Sequence, residues 1–485
     1  MHTAGLLLQN FPWEPTRQQR EALELIGSFI DHRQLGHCFI LKGYAGTGKT
    51  TIISVLVKSL RQIGLKTVQL APTGRAAKVM SIYSNRTAQT VHKKIYRKKK
   101  AISPEMDFEL GANLHENTIF IVDEASMISH EAPSFQRKSL LDDLFTYVKR
   151  GKNCNLLFVG DTAQLPPVGL SRSPALDPDF LHQQFNVHTL SYELQEVVRQ
   201  AIDSGILFNA TQIREQLSQP EDLDFSIPKL YTKGFSDIYK LSGERLVEGL
   251  HYAYGKYGME NTLVICRSNK HANLYNQHIR HQILFREEEL SGGDRIMVVR
   301  NNYFWLSQEN PDNTSFIANG DMAQVRRVSN VHEQYGFRFA DVSLEFSDMD
   351  ETETISCRVM LDTLHSDSPN LSPENQRILY ESIREDYAAG DHDPQQTQSL
   401  IKIDPYYNAL QIKFSMAITC HKAQGGQWPV VFVDQGYLQD ENMDKEFLRW
   451  LYTAVTRATQ ELYLVNFNQA FFVTNDRNSD LTINR

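Results

Sequence analysis

Short apolar runs recur along the chain at 38–41, 68–71, 118–122, 155–159, 262–266 and 430–433. Runs of four or five mostly apolar residues, each followed by a small, acidic or polar turn, predict strands buried on both faces of parallel sheets. Between them lie stretches with helical spacing, such as 51–60 and 448–455, so the first and last parts of the chain predict two α/β units. The interval from about 290 to 410 has a different rhythm. Alternating segments at 295–300, 322–328, 337–346 and 355–361 are separated by the turn residues Gly292-Gly293, Asn319-Gly320-Asp321 and Tyr335-Gly336. That pattern predicts a small β-barrel set into the second unit, with a helix near 373–389. Two shorter alternating pieces, around Ile95-Tyr96 and 106–110, flank Ser103-Pro104-Glu105 and predict a projecting hairpin in the first unit.

Composition narrows this picture. With 485 residues the chain has room for roughly three domains. No apolar stretch approaches the roughly 20 residues that span a bilayer, and the opening Leu6-Leu7-Leu8 run lacks a basic flank. The five cysteines lie far apart with no C-x-x-C pair, as expected of a protein in a reducing cytoplasm, with neither a disulfide frame nor a zinc site. A net charge of −8 argues against a generally basic surface, so any nucleic acid must bind in a local groove. The most basic stretch, 93–100, falls on the first arm of the expected hairpin.

The chemistry begins at Gly43-Tyr44-Ala45-Gly46-Thr47-Gly48-Lys49-Thr50, a G-x-x-x-x-G-K-[ST] loop between a strand and a helix. Its glycines let backbone N–H groups wrap phosphate. Lys49 reaches the β- and γ-phosphates and Thr50 offers a hydroxyl to Mg²⁺. Upstream, Gln19 is placed to read adenine through its amide. After the second strand, Thr73 and Arg75 could hold a phosphodiester backbone. Asp123 and Glu124 close a buried strand beside the phosphate loop, where one acid can hold Mg²⁺ and the other accept the proton of an attacking water. Gln164, at the end of the next strand, could sense the γ-phosphate or the water, and Arg199 is a cation that could meet the phosphates.

Together the strings GYAGTGKTT (43–51), APTGRAAK (71–78), TVH (90–92), DEAS (123–126), GDTAQLPPVG (160–169), VVRQ (197–200), ANGD (318–321), CHKAQGGQW (420–428) and YTAVTRA (452–458) resemble superfamily 1 DNA helicases, and among them the RecD/Dda-like 5′→3′ group (superfamily 1B). The resemblance covers nearly the whole chain, and these strings in this order are specific. It implies two RecA-like motor domains: one over 1–215, with a pin hairpin at about 93–117, and one over 216–289 and 411–485. An SH3-like barrel with a helical extension would occupy 290–410. By that likeness Gln19, Gly43, Ala45, Gly46, Thr47, Gly48, Lys49, Thr50, Thr51 and Gly425 form the ATP site. Thr50 and Asp123 attend Mg²⁺, and Lys49, Asp123, Glu124, Gln164, Arg199 and Arg457 are catalytic. Arg457 would act as an arginine finger. Pro72, Thr73, Arg75, His92, Asn269 and His421 would lie along single-stranded DNA.

Two departures stand out. The usual K-S-Q-G-S-E is here Lys422-Ala423-Gln424-Gly425-Gly426-Gln427, without its serine hydroxyls and its acid. No large N-terminal extension is expected, which would be closer to the compact Dda layout. The expectation is a monomeric, cytoplasmic motor on single-stranded DNA and forks, free of membranes, working with accessory repair or replication proteins. Two rivals stay open at this point: a non-motor P-loop NTPase, and a DNA-stimulated ATPase subunit of a larger recombination complex. RNA in place of DNA also stays open, because these motifs hardly distinguish the sugars.

Overall fold

The computed structural model describes residues 3–32, 34, 36–98, 108–132, 138–198, 203–219, 226–306, 316–346, 354–390, 393–436 and 443–473. The first lobe is built on β1 (His37–Gly43), β2 (Lys66–Ala71), β3 (Ala88–Thr90), β6 (Thr118–Val122), β7 (Asn155–Gly160) and β8 (His188–Leu194), in the order β3-β2-β6-β7-β1-β8. Every pairing in it is parallel. β6 and β7 are buried at every residue, which explains their unbroken apolar runs. The helix Arg17–Asp31 starts at a capping box in which Thr16 and Gln19 satisfy each other's backbone N–H groups. Its apolar face (Ala22, Leu23, Ile26, Phe29, Ile30) packs into one core with Leu41, Leu56 and Leu194.

Between β3 and β6 the chain makes the expected hairpin. β4 (Tyr96–Lys98) pairs antiparallel with β5 (Phe108–Leu110), and the Tyr96 hydroxyl ties its base to Asp143 at 2.8 Å. Its tip, 99–107, lies outside the described residues.

The second lobe carries β9 (Ile238–Leu241), β10 (Thr262–Cys266), β16 (Ala417–Thr419), β17 (Trp428–Asp434) and β18 (Ala458–Val465), again all parallel, in the order β16-β10-β17-β18-β9. Between β10 and β16 a closed barrel is inserted, formed by β11 (Arg295–Val298), β12 (Met322–Gln334), β13 (Phe337–Phe346), β14 (Thr354–Met360) and β15 (Leu410–Phe414). Helices Pro373–Ala388 and Pro394–Lys402 sit between its last two strands. The fold is therefore α/β, two parallel-sheet lobes with a barrel insert.

Two boundaries differ from those read in the sequence. The apolar run at 414–418 is not one strand: the barrel keeps Phe414 and the sheet begins at Ala417. The buried Asn276 amide makes that break, donating to the Phe414 and Ala417 carbonyls and accepting from the Ala417 N–H. The helix Gly205–Leu217, assigned by sequence to the first lobe, packs its Ile206, Ala210 and Ile213 into the second lobe's core with Phe447, Leu451 and Val455. No helix among the described residues is long and apolar enough to cross a membrane.

Candidate functional site

The carboxyl ends of β1, β2, β6 and β7 share one edge of the first sheet, where ligands bind in open α/β folds. The loop after β1 turns through Gly46 and Gly48, at φ of 77° and 89°. A side chain on Gly48 would put its Cβ 2.4 Å from Gln19 Nε2, so only glycine fits there. Lys49 Nζ donates to the carbonyls of Gly43 (2.6 Å) and Tyr44 (2.9 Å), across the mouth of the loop. Thr47 is buried and its hydroxyl donates to the Tyr44 carbonyl, while Thr50 is exposed and Thr51 partly so. Gln19 is also buried: its Oε1 accepts from Thr16 N–H, and its Nε2 donates to the Thr47 carbonyl at 3.0 Å. It braces the loop as well as the helix cap.

Asp123 and Glu124 leave the end of β6. Asp123 accepts from the Tyr83 hydroxyl (2.6 Å) and from Glu124 N–H (2.8 Å). Glu124 takes φ 50°, a left-handed conformation costing a non-glycine residue about 1–2 kcal/mol, the kind of strain that clusters at working sites. Desolvation raises both carboxyls above the usual range. For Glu124 the rise reaches about 7; Arg457 and Lys49 pull it down, and Asp123 and Asp161 push it up. One carboxylate thus feels a cation from each lobe. At the end of β7, Gln164 is 6% exposed, and among the described residues its Oε1 has no hydrogen-bond donor.

The second lobe closes over this edge with the helix Lys445–Val455 and the segment before β17. The Leu165 N–H donates to Thr453 Oγ1 (2.9 Å), and Gln424 Nε2 donates to the Leu165 carbonyl (2.7 Å). Tyr452, fully buried, accepts from Ala45 N–H at 2.8 Å and donates to Asp161 Oδ2 at 2.7 Å. Arg457 is 3% exposed, its guanidinium steadied by Thr453 O, Gly426 O and Thr456 Oγ1. Arg199 lies outside the described residues.

The glycines of the departed motif sit against the segment after β2. Gly425, at φ 72°, faces Ala76 and Thr73, and Gly426 faces the Trp428 ring and Arg75. Arg75 lies 3.8 Å over that ring and donates to the Gln427 carbonyl at 3.0 Å, so its guanidinium joins the two lobes. Pro72 is partly buried at the same turn. Thr73 and Thr90 cap the helices Gly74–Ser84 and Val91–Ile95, whereas Asn269 follows the capping Ser268 at the end of β10. His92 is held well below its ordinary pKa, at about 4, by burial; His421, after β16, is lowered by burial too. Both imidazoles are neutral at pH 7, suited to hydrogen bonding and stacking but not to ion pairing. Sequence reasoning missed Tyr83, and it saw Tyr452 and Trp428 only as letters within motifs. A lone tyrosine on a helix carries no signal of its partners.

These features define a class: a two-lobed P-loop NTPase whose nucleotide edge is roofed by a second parallel-sheet lobe. Family models agree, one described as an AAA domain over residues 16–225 and one as a UvrD-like helicase C-terminal domain over 414–465. The matches support a superfamily 1B helicase of the RecD/Dda/Pif1 type. It is similar to an uncharacterized protein of Acanthamoeba polyphaga mimivirus, 22% identical over 92% of this chain and 98% of that one. It is 30% identical to the ATP-dependent RecD2 DNA helicase of Deinococcus radiodurans over 33% of this chain and 20% of that protein. Against the ATP-dependent DNA helicase dda of Enterobacteria phage T4 it is 28% identical, over 41% and 42% respectively. The matched stretch spans less than half the length of either helicase. Among solved structures, the Pif1 helicase from Bacteroides in complex with ADP-AlF3 and ssDNA overlaps 96% of this chain and 95% of its own, at 15% identity and a TM-score of 0.47.

Proposed function

We propose that the chain is an ATP-dependent DNA helicase that moves 5′ to 3′ along single-stranded DNA and parts duplexes at forks during repair, recombination or replication. The observation that carries this reading is the second lobe's closure over the phosphate-loop edge, where Tyr452 takes the Ala45 N–H and Thr453 the Leu165 N–H. Glu124 there feels the charges of both Lys49 and Arg457, one from each lobe. A nucleotide seated on the phosphate loop would lie between them, so its hydrolysis would be felt on both sides of the seam.

In this reading Lys49 and the loop N–H groups hold the phosphates, Glu124 takes the proton of the attacking water, and Gln164 orients that water through its unpaired amide oxygen. Arg457 neutralises charge on the γ-phosphate, and Arg199 would join it. The exposed Thr50 hydroxyl and the Asp123 carboxylate are hard oxygen donors, and so few protein ligands suit Mg²⁺, which keeps most of its waters. When bound, Mg²⁺ would neutralise phosphate charge. Pro72, Thr73, His92, Asn269 and His421 would line the DNA track, and the hairpin would split the duplex. Five buried cysteines, far apart in the sequence, favour a cytoplasmic setting. We place the protein as a monomer with accessory repair or replication proteins.

The test uses the purified chain, ATP, and forks bearing either a 5′ or a 3′ tail. Single-stranded DNA is expected to raise ATP turnover, the 5′-tailed fork to be unwound, and Lys49→Ala to abolish both. Normal DNA-stimulated turnover in Lys49→Ala overturns the reading, and DNA-stimulated turnover without unwinding favours a subunit of a larger complex.

A further inference from the structure

Tyr452 lies outside the roles assigned above, yet from the second lobe its hydroxyl joins the phosphate loop to the end of β7. Its hydroxyl accepts from Ala45 N–H, inside the phosphate loop, and donates to Asp161 at the end of β7. Asp161 in turn accepts from Ala163 N–H at 2.9 Å, which sets the turn leading to Gln164 and Leu165. Thr453, the next residue on the same helix, holds the Leu165 N–H. A continuous chain of hydrogen bonds therefore runs from the phosphate loop, through one second-lobe phenol, into the Gln164 loop. The phenol and Asp161 are both buried, so the bond between them is shielded from bulk water. Backbone N–H groups of a G-x-x-x-x-G-K-[ST] loop are the groups that cradle phosphate. Ala45 N–H has a single hydrogen, and in this structure Tyr452 holds it.

We infer that Tyr452 is a nucleotide-sensing positioning residue: its hydroxyl competes with a phosphate oxygen for the Ala45 N–H, and displacement of the phenol reports nucleotide occupancy to Asp161 and the Gln164 loop. This rests on the phosphate loop binding nucleotide, as proposed above. When a phosphate oxygen takes the Ala45 N–H, the phenol loses its donor. The Tyr452–Asp161 bond is then the last direct link between this ring and the first lobe's catalytic edge. Occupancy is thereby coupled to how the second lobe grips β7, with no contact between Tyr452 and the phosphate itself.

The test is Tyr452→Phe, which keeps the ring and removes the hydroxyl. Binding of ADP and of a non-hydrolysable ATP analogue is measured at equilibrium without DNA, beside ATP turnover with and without single-stranded DNA. Releasing a competing hydrogen bond is expected to tighten nucleotide binding about 2- to 10-fold. The KM for ATP should fall while the ratio of DNA-stimulated to basal turnover also falls, because the relay is cut. A merely structural tyrosine would leave the ratio unchanged. Unchanged or weaker nucleotide binding, or an unchanged ratio, overturns the inference. If wild type itself binds no nucleotide, the underlying ATPase reading fails instead. Should Tyr452→Phe melt early, Asp161→Asn weakens the same relay from its far end and must lower the same ratio; an unaltered ratio there overturns the inference equally.

Discussion

Gly426 stands where the related motif carries serine, and sterics explain the exchange. A Cβ at that position would come within 2.4 Å of the Trp428 ring and 2.9 Å of Arg75 Cδ. The missing hydroxyl is therefore the counterpart of a tryptophan stacked under an arginine across the lobe seam. Gly426→Ser should destabilise the protein by about 1–3 kcal/mol, the usual cost of overpacking, read by thermal or denaturant unfolding. An unchanged midpoint would remove the steric explanation. His92 makes a second claim at this scale. Burial lowers its pKa to about 4 from 6.5, so between those values the unfolded chain binds a proton that the folded chain refuses. Its contribution to stability is full above pH 6.5 and is lost as the pH falls towards 4. In acid titrations followed by unfolding, His92→Gln should lose stability less steeply than wild type over that window. At the residue level the positions of the glycine loop after β1 and the acid pair after β6 were legible, because each directly follows a buried apolar strand. Arg75 as a seam residue was not, since its partners lie about 350 positions away in the chain.

The elements were legible wherever burial imposed a single period. β6 and β7, buried throughout, read as unbroken apolar runs, and β13 and β14 read as alternation around a barrel core. Legibility failed where a short segment serves two elements, as at 414–417, where one buried asparagine diverts the backbone from barrel to sheet. It failed also for the helix Gly205–Leu217, whose apolar spacing shows that it packs but not on which lobe. A third element-scale feature lies after the helix Asn269–His278 and the wider turn Ile279–Ile283. There the Arg286 N–H bonds the Arg280 carbonyl while Phe285 takes φ 51° with its ring exposed. Glycine is the usual residue at such a helix end. Phe285→Gly should stabilise the protein by roughly 1 kcal/mol through relief of that strain, and a fall in the unfolding midpoint would show that the ring makes a contact outweighing it.

At the scale of the whole molecule, the candidate site is built by both lobes and not by either alone. The first lobe presents a phosphate loop, two acids and Gln164 along one sheet edge. The second lobe covers that edge with Tyr452, Thr453, Gln424 and Arg457. Only the motif order hinted at this pairing, because no local period reports which distant helix roofs a strand end. The most direct measurement is single-turnover ATP hydrolysis by wild type and Arg457→Ala at saturating single-stranded DNA, with nucleotide binding measured alongside. The expected result is retained binding with hydrolysis slowed by roughly 10³-fold or more, the range for an arginine acting on a γ-phosphate from across a cleft. Hydrolysis at the wild-type rate in Arg457→Ala would contradict the convergence of the two lobes on one nucleotide.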